Sequence, residues 1–181
     1  MKLFIALESP HRWIAVGNRN SVKDSGIVEN LDEFSVPRGT EVIVGVAPGT
    51  AVACHGVNIP GKKRRYAESA LGYALEDRLT QPVESLHFKL LDWQPDGEST
   101  GAVVARPVLE AWVDSMADAG IRLDAIVPEY FLLPLHPGGG VSVARNEGVC
   151  HIREAPFRGL TLDEESFAFW WESRTESNQR Y

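Results

Sequence analysis

The 181-residue chain contains no run of about 20 consecutive apolar residues, so no segment of it is expected to cross a bilayer as a helix. It has two cysteines, Cys54 and Cys150, and no Cys-x-x-Cys, which excludes a disulfide framework and a paired-thiol redox motif. A single bridge between the two remains open by count, although their strand-like flanks read more simply as two small buried thiols. Positive charge is also short. Eighteen Lys and Arg face 25 Asp and Glu, a formal net charge of −7. The summed field repels phosphate, so no nucleic-acid partner is expected. No secretory leader is expected either, because Met1-Lys2-Leu3-Phe4-Ile5-Ala6-Leu7 meets the carboxylate of Glu8 before an apolar core of useful length has formed. There is no G-x-S-x-G: Gly140-Val141-Ser142-Val143-Ala144 lacks the closing glycine. Repeats and low-complexity tracts are missing too. What is present, 20.0 kDa with 44% hydrophobic residues, suits one soluble domain, or two small lobes sharing a core, in a reducing compartment.

Hydrophobic patterning predicts an α/β chain. Residues 2–8 and 12–16 form a hairpin across Ser9-Pro10-His11, and residues 22–29 a third, more polar strand. The β-branched run 41–47 reads as a fully buried strand broken by Pro48-Gly49, with extended structure resuming over 51–59. Ala67, Ala70, Leu71, Ala74, Leu75 and Leu79 recur at helical spacing and place a helix over 62–79. Strands follow at 86–91 and 101–106. A helix entered at Pro107 ends at Gly120, a strand covers 121–127, and 128–133 make a turn or short helix. Residues 141–145 and 149–153 form a hairpin across Asn146-Glu147-Gly148. Thr161-Leu162-Asp163-Glu164 has the form of a capping box opening a last helix to about Trp171, and a frayed polar tail is expected from Ser173. Hairpins mixed with helix–strand units imply a mixed sheet with helices on its faces.

Five features carry candidate chemistry. Gly56-Val57-Asn58-Ile59-Pro60-Gly61-Lys62-Lys63 matches G-x-x-x-x-G-K between a strand and a helix. Lys63 replaces the Ser or Thr that holds Mg²⁺, however, and Pro60 removes a backbone donor. Lys62, Lys63, Arg64 and Arg65 are the one basic cluster. At a helix start they oppose the macrodipole, which points to an anionic lipid or acidic partner; the competing reading is a solvated helix end neutralised by Glu68 and nearby carboxylates. Cys54-His55 and Cys150-His151 have the donor set of a zinc site. Neighbours on a strand point to opposite faces, so each pair needs a bulge to reach one metal; otherwise the cysteines are core and the histidines exposed or hydrogen-bonded. Among carboxylates, Asp114 and Asp118 stand one turn apart on a polar helix face, and Glu8 and Asp124 near strand ends could meet in a cleft. Finally, Phe167, Phe169, Trp170 and Trp171 crowd one helix and cannot all face the core. Exposed rings beside Glu164 and Glu165 suit a protein contact; the alternative is a cap on the second lobe's core.

The middle of the chain carries a family resemblance. Ile59-Pro60-Gly61-Lys62-Lys63, Ala74-Leu75-Glu76-Asp77, Pro82-Val83-Glu84-Ser85-Leu86-His87-Phe88, Val104-Ala105-Arg106, Trp112, Ala119-Gly120-Ile121, Leu123-Asp124-Ala125-Ile126-Val127-Pro128-Glu129 and Leu133-Pro134 resemble the cytoplasmic part of type II secretion system protein L, over residues 3–158. The resemblance implies an actin-like (ribonuclease-H-like) mixed β-sheet with flanking helices. It implies two small lobes, expected at 1–85 and 86–160, with a C-terminal helix and polar tail at 161–181. It also implies a non-enzymatic scaffold on the cytoplasmic side of the bacterial inner membrane that recruits the secretion ATPase (the E component). Protein M would be met through a single-pass remainder of the protein, beyond a chain cut before its transmembrane helix; a homodimer is also open. No catalytic residue, cofactor or metal is expected. Glu164, Glu165, Trp170 and Trp171 are the expected partner-facing residues, and Lys62, Lys63, Arg64 and Arg65 the expected lipid or acidic-partner contact. The alternative is an actin-like nucleotide-binding protein similar to the type IV pilus assembly component. Against it, the turn Leu7-Glu8-Ser9-Pro10-His11, where such relatives carry a Gly-rich phosphate hairpin, has no glycine.

Overall fold

A computed structural model describes residues 1–60, 63–95, 97–138 and 140–178, with side chains through Arg174. The expected meander is present: β1 (Lys2–Ala6), β2 (His11–Val16) and β3 (Val22–Val28) pair in antiparallel sequence. β4 (Val42–Ala47) lies parallel to β1 on its other side, and β8 (Ala125–Pro128) parallel to β4, giving the order β3-β2-β1-β4-β8. Two three-stranded antiparallel sheets complete the architecture. β5 (Val52–Val57) and β6 (Leu86–Asp92) flank β7 (Ser99–Ala105); β9 (Ser142–Asn146) and β11 (Arg158–Asp163) flank β10 (Val149–Ala155).

Each sheet buries one face under one helix, as amphipathic layers require. α2 (Arg106–Asp118) drives Trp112 and Met116 onto Ile5 and Ala47 of the five-stranded sheet and Leu7 just past β1. α1 (Arg64–Leu75) sets Ala67, Leu71 and Leu75 against Leu86, Leu90 and Val103. α3 (Glu164–Asn178) brings Phe167 onto Cys150 and Ile152. Close approach is bought by glycine at Gly101, where a Cβ would come within 2.7 Å of Leu71. Among the described residues, no helix is long and apolar enough to cross a membrane.

Several expectations shift. The helix expected over 62–79 starts at Arg64, leaves α geometry after Leu75 and ends in a 3₁₀ turn, Glu76–Arg78; Lys62 lies outside the described residues. The strand expected from 121 starts at Ala125, because Ile121 is buried under α2 as part of the connection. β11 was not anticipated. It returns from β10 through Pro156-Phe157 and contains Thr161, so the residue capping α3 is Asp163: its carboxylate accepts the Ser166 N–H at 2.7 Å. α3 continues through Asn178, past the expected end near Trp171 and into the expected tail. Strand pairing also crosses the expected divisions. β5 and β6, on either side of residue 85, share β7; β4 is completed by β8; and residue 160 lies inside β11.

Candidate functional site

The C-terminal ends of β1 and β4, the β1–β2 turn and the β9–β10 hairpin enclose a cleft of about 590 Å³. Its lining includes apolar Phe4, Ile14, Val46 and Val149 and polar Glu8, Arg12, Glu129, Glu147, His151 and Thr161, of which His151 is buried. The hairpin tip is a two-residue turn in which Glu147 (φ 50°) and Gly148 (φ 81°) are left-handed, the geometry that suits a twisted two-stranded ribbon. This turn carries Glu147 across the opening to Arg12, whose Nη2 donates to Glu147 Oε1 at 2.6 Å. That bond pushes the Arg12 guanidinium up from its ordinary value.

Several groups able to bind an anion here already hold the protein's own carboxylates. The Gly49 N–H, just past β4, donates to Glu129 Oε2 at 3.0 Å. The same oxygen lies 3.8 Å from His151 Nε2, and the other ring nitrogen of His151 bonds Thr161 Oγ1 at 2.8 Å. Ser9 Oγ donates to Glu29. In the β1–β2 turn, Leu7 N–H is committed to Val46 O and Pro10 offers no donor. Glu8 and Asp124 do not meet. Asp124 receives the Ile43 N–H at 2.8 Å near the start of β4, whereas Glu8 follows the far end of the parallel strand β1.

Beneath the cleft, Tyr130 is fully buried in the 3₁₀ turn Glu129–Leu132. Its hydroxyl donates to Val52 O at 3.0 Å and lies 3.2 Å from Cys54 Sγ. The phenol proton is spent on Val52, so the Cys54 thiol is the donor of that pair. Burial pushes both the Tyr130 hydroxyl and the Cys54 thiol up from their ordinary values. Gly159 on β11 packs on the ring so closely that a Cβ would lie 2.4 Å from it. Tyr130 thus ties the segment after β8 to β5 and β11. No sequence motif marked it. Cys54 stands on β5 and Cys150 in the core under α3, so the two Cys-His pairs belong to different sheets. Among the described residues no His, Cys, Asp and Glu cluster could hold a metal.

The basic cluster is divided by the structure. Arg64 is exposed but partnered: Nε donates to Glu68 Oε1 at 3.0 Å and Nη2 to Leu90 O at 3.1 Å, linking α1 to β6. Lys63 Nζ sits 5.9 Å from the centre of the Tyr66 ring, and Arg65 is exposed. On α3 the aromatics separate. Phe167 is buried and Trp170 half-buried, with Arg174 over the Trp170 ring at 5.3 Å and paired with Glu154. Trp171 is 45% and Phe169 76% exposed. Glu164 and Glu165 are exposed in the first turn.

The family model described as type II secretion system (T2SS), protein L matches residues 9–177. The chain belongs to that family. The Dickeya chrysanthemi type II secretion system protein L is 26% identical over 122 residues, covering 67% of this chain and 30% of the relative. The Vibrio cholerae protein is 29% identical over 137 residues, covering 75% and 33%. The chain therefore spans about a third of the curated relatives it matches. Among solved structures, the cytoplasmic domain of EpsL, an inner membrane component of the type II secretion system of Vibrio cholerae, superposes with TM-score 0.78 at 24% identity. That match covers 90% of this chain and 71% of the domain. The PilM–PilN type IV pilus biogenesis complex follows at TM-score 0.60 and 14% identity, covering 92% and 63%. A Bacteroides thetaiotaomicron protein with an actin-like ATPase fold matches at 0.50 and 7%, covering 99% and 77%. The actin-like mixed α/β fold is thereby shown, and this protein L chain is a component of the secretion system.

Proposed function

We propose that this protein L chain is a non-enzymatic adaptor on the cytoplasmic side of the inner membrane, which recruits the secretion ATPase and couples it to the membrane platform. Family membership supplies the setting. The observation that carries the reading is the occupancy of the cleft. Glu129 takes the Gly49 amide and Glu147 takes Arg12, so a nucleotide phosphate entering here must displace carboxylates and face Glu8 as well. Such like-charge contact is costly in a partly desolvated cleft. Protein M and the remaining platform components meet the single-pass full-length protein through parts beyond this chain. In this reading Lys62, Lys63, Arg64 and Arg65 remain the lipid or acidic-partner contact, with Arg64 also donating to Leu90 O at 3.1 Å.

The likeness to the PilM–PilN complex favours one second reading, a nucleotide-binding protein of the actin-like type. Calorimetric titration separates the two. The adaptor releases or absorbs heat with the N-terminal domain of the cognate ATPase at tens of micromolar and none with Mg-ATP. Heat with Mg-ATP alone selects the second reading.

A further inference from the structure

α3 leaves one side of the chain unusual. Phe169 projects from it 76% exposed, between Glu165 one turn before and Glu172 one turn after. Beside it, Leu160 and Leu162 of β11 and the half-buried Trp170 complete an apolar groove of about 520 Å³, with Glu165 and Ser166 on its lip. Glu165 is the one charged residue of the groove's described lining. Arg174, the nearest described cation on the helix, is turned away onto Trp170 and Glu154. An exposed aromatic anchor in an apolar groove with a one-sign rim is the anatomy of an interface centre.

We infer that this groove, centred on Phe169, is where the secretion ATPase docks, through a segment placing a bulky apolar side chain against Phe169, Leu160 and Leu162 and an arginine against Glu165. This rests on the adaptor reading. Charge complementarity selects the occupant: a carboxylate rim on a protein of net charge −7 favours a cationic segment and opposes a second copy of this chain. Arginine fits better than lysine, because its planar fork can bind the Glu165 carboxylate and stack on the Phe169 ring. Trp171 lies outside this centre. It stacks with Phe167 at 6.0 Å, on the other flank of α3.

The test is a binding series with the N-terminal domain of the cognate ATPase, against wild type, Phe169→Ala, Glu165→Lys and Lys23→Ala. Phe169→Ala is expected to weaken Kd by about tenfold or more, mainly by faster dissociation. Glu165→Lys slows association and flattens its salt dependence, and an Arg→Glu change in the ATPase segment restores it. Lys23→Ala, exposed on β3, leaves Kd unchanged. Phe169 and Glu165 are exposed, so equal melting temperatures confirm that the variants fold. If wild type binds and both α3 variants bind within about twofold of it, the groove assignment is overturned while the adaptor reading stands. If wild type does not bind, both fall.

Discussion

Tyr130→Phe removes one oxygen from the most heavily used buried side chain in the structure. The ring stays, so packing against Gly159 and Gly49 is unchanged. The hydroxyl's bond to Val52 O is lost, and the Cys54 thiol loses its acceptor. Tyr130 is fully buried, so water does not reach the vacated partners from that side. An unsatisfied buried carbonyl costs about 1–3 kcal/mol, and the weak thiol donor adds little. For a chain of this length the unfolding slope in urea is about 2 kcal/mol/M, so the midpoint falls by roughly 0.5–1.5 M with the slope unchanged. The melting temperature falls by roughly 2–12 °C. Tyr130→Ala adds a cavity and costs about 3–5 kcal/mol. A Tyr130→Phe midpoint indistinguishable from wild type would refute the hydroxyl's role as the tie between β5 and the segment after β8.

Three further outcomes are expected. Gly159→Ala places a Cβ 2.7 Å from Ile152 O as well as against Tyr130. A backbone carbonyl in a paired strand cannot yield, so urea unfolding shows a loss of about 1–3 kcal/mol. The Cys54 thiol is held neutral by burial and Cys150 is fully buried, so Ellman's reagent labels neither at mixing time at pH 8 and both after denaturation. Hydrogen bonds from Ser166 hold the Asp163 carboxyl below its ordinary value, so its contribution is present above the unfolded value and is lost as pH falls through the folded one. Asp163→Asn keeps one capping oxygen but loses the charge and the bond from Ser166 Oγ, so the neutral-pH midpoint falls toward the acid value and the acid limb of a stability–pH profile flattens; an unaltered acid limb contradicts the assignment.

Local elements were legible where periodicity and punctuation agree. Alternation over β1 and β2, Pro107 near the start of α2 and Gly120 (φ 72°) after its end each state their own conformation. Pairing was not legible. The run that became β7 announces a strand but not that β5 and β6 flank it, so lobe divisions drawn along the chain cut through a sheet. β11 was hidden because Thr161 and Glu164 imitate a capping box, while Thr161 is used by His151 and Asp163 does the capping. At the cleft, Glu147 was read only as a turn residue, and its reach to Arg12 depends on two residues 135 positions apart. Glu164 and Glu165 were visible as acidic beside aromatics; which ring turned outward depended on the helix phase set by Phe167 against Ile152. That phase exposes Phe169 more than Trp171 and half-buries Trp170.

The central claim, an adaptor that holds the ATPase without using nucleotide itself, is tested most directly by light scattering. This chain is mixed with the N-terminal domain of the cognate secretion ATPase at tens of micromolar, with and without Mg-ATP. The account predicts one species at the mass of a 1:1 complex in both conditions. Two separate species at their own masses would contradict it.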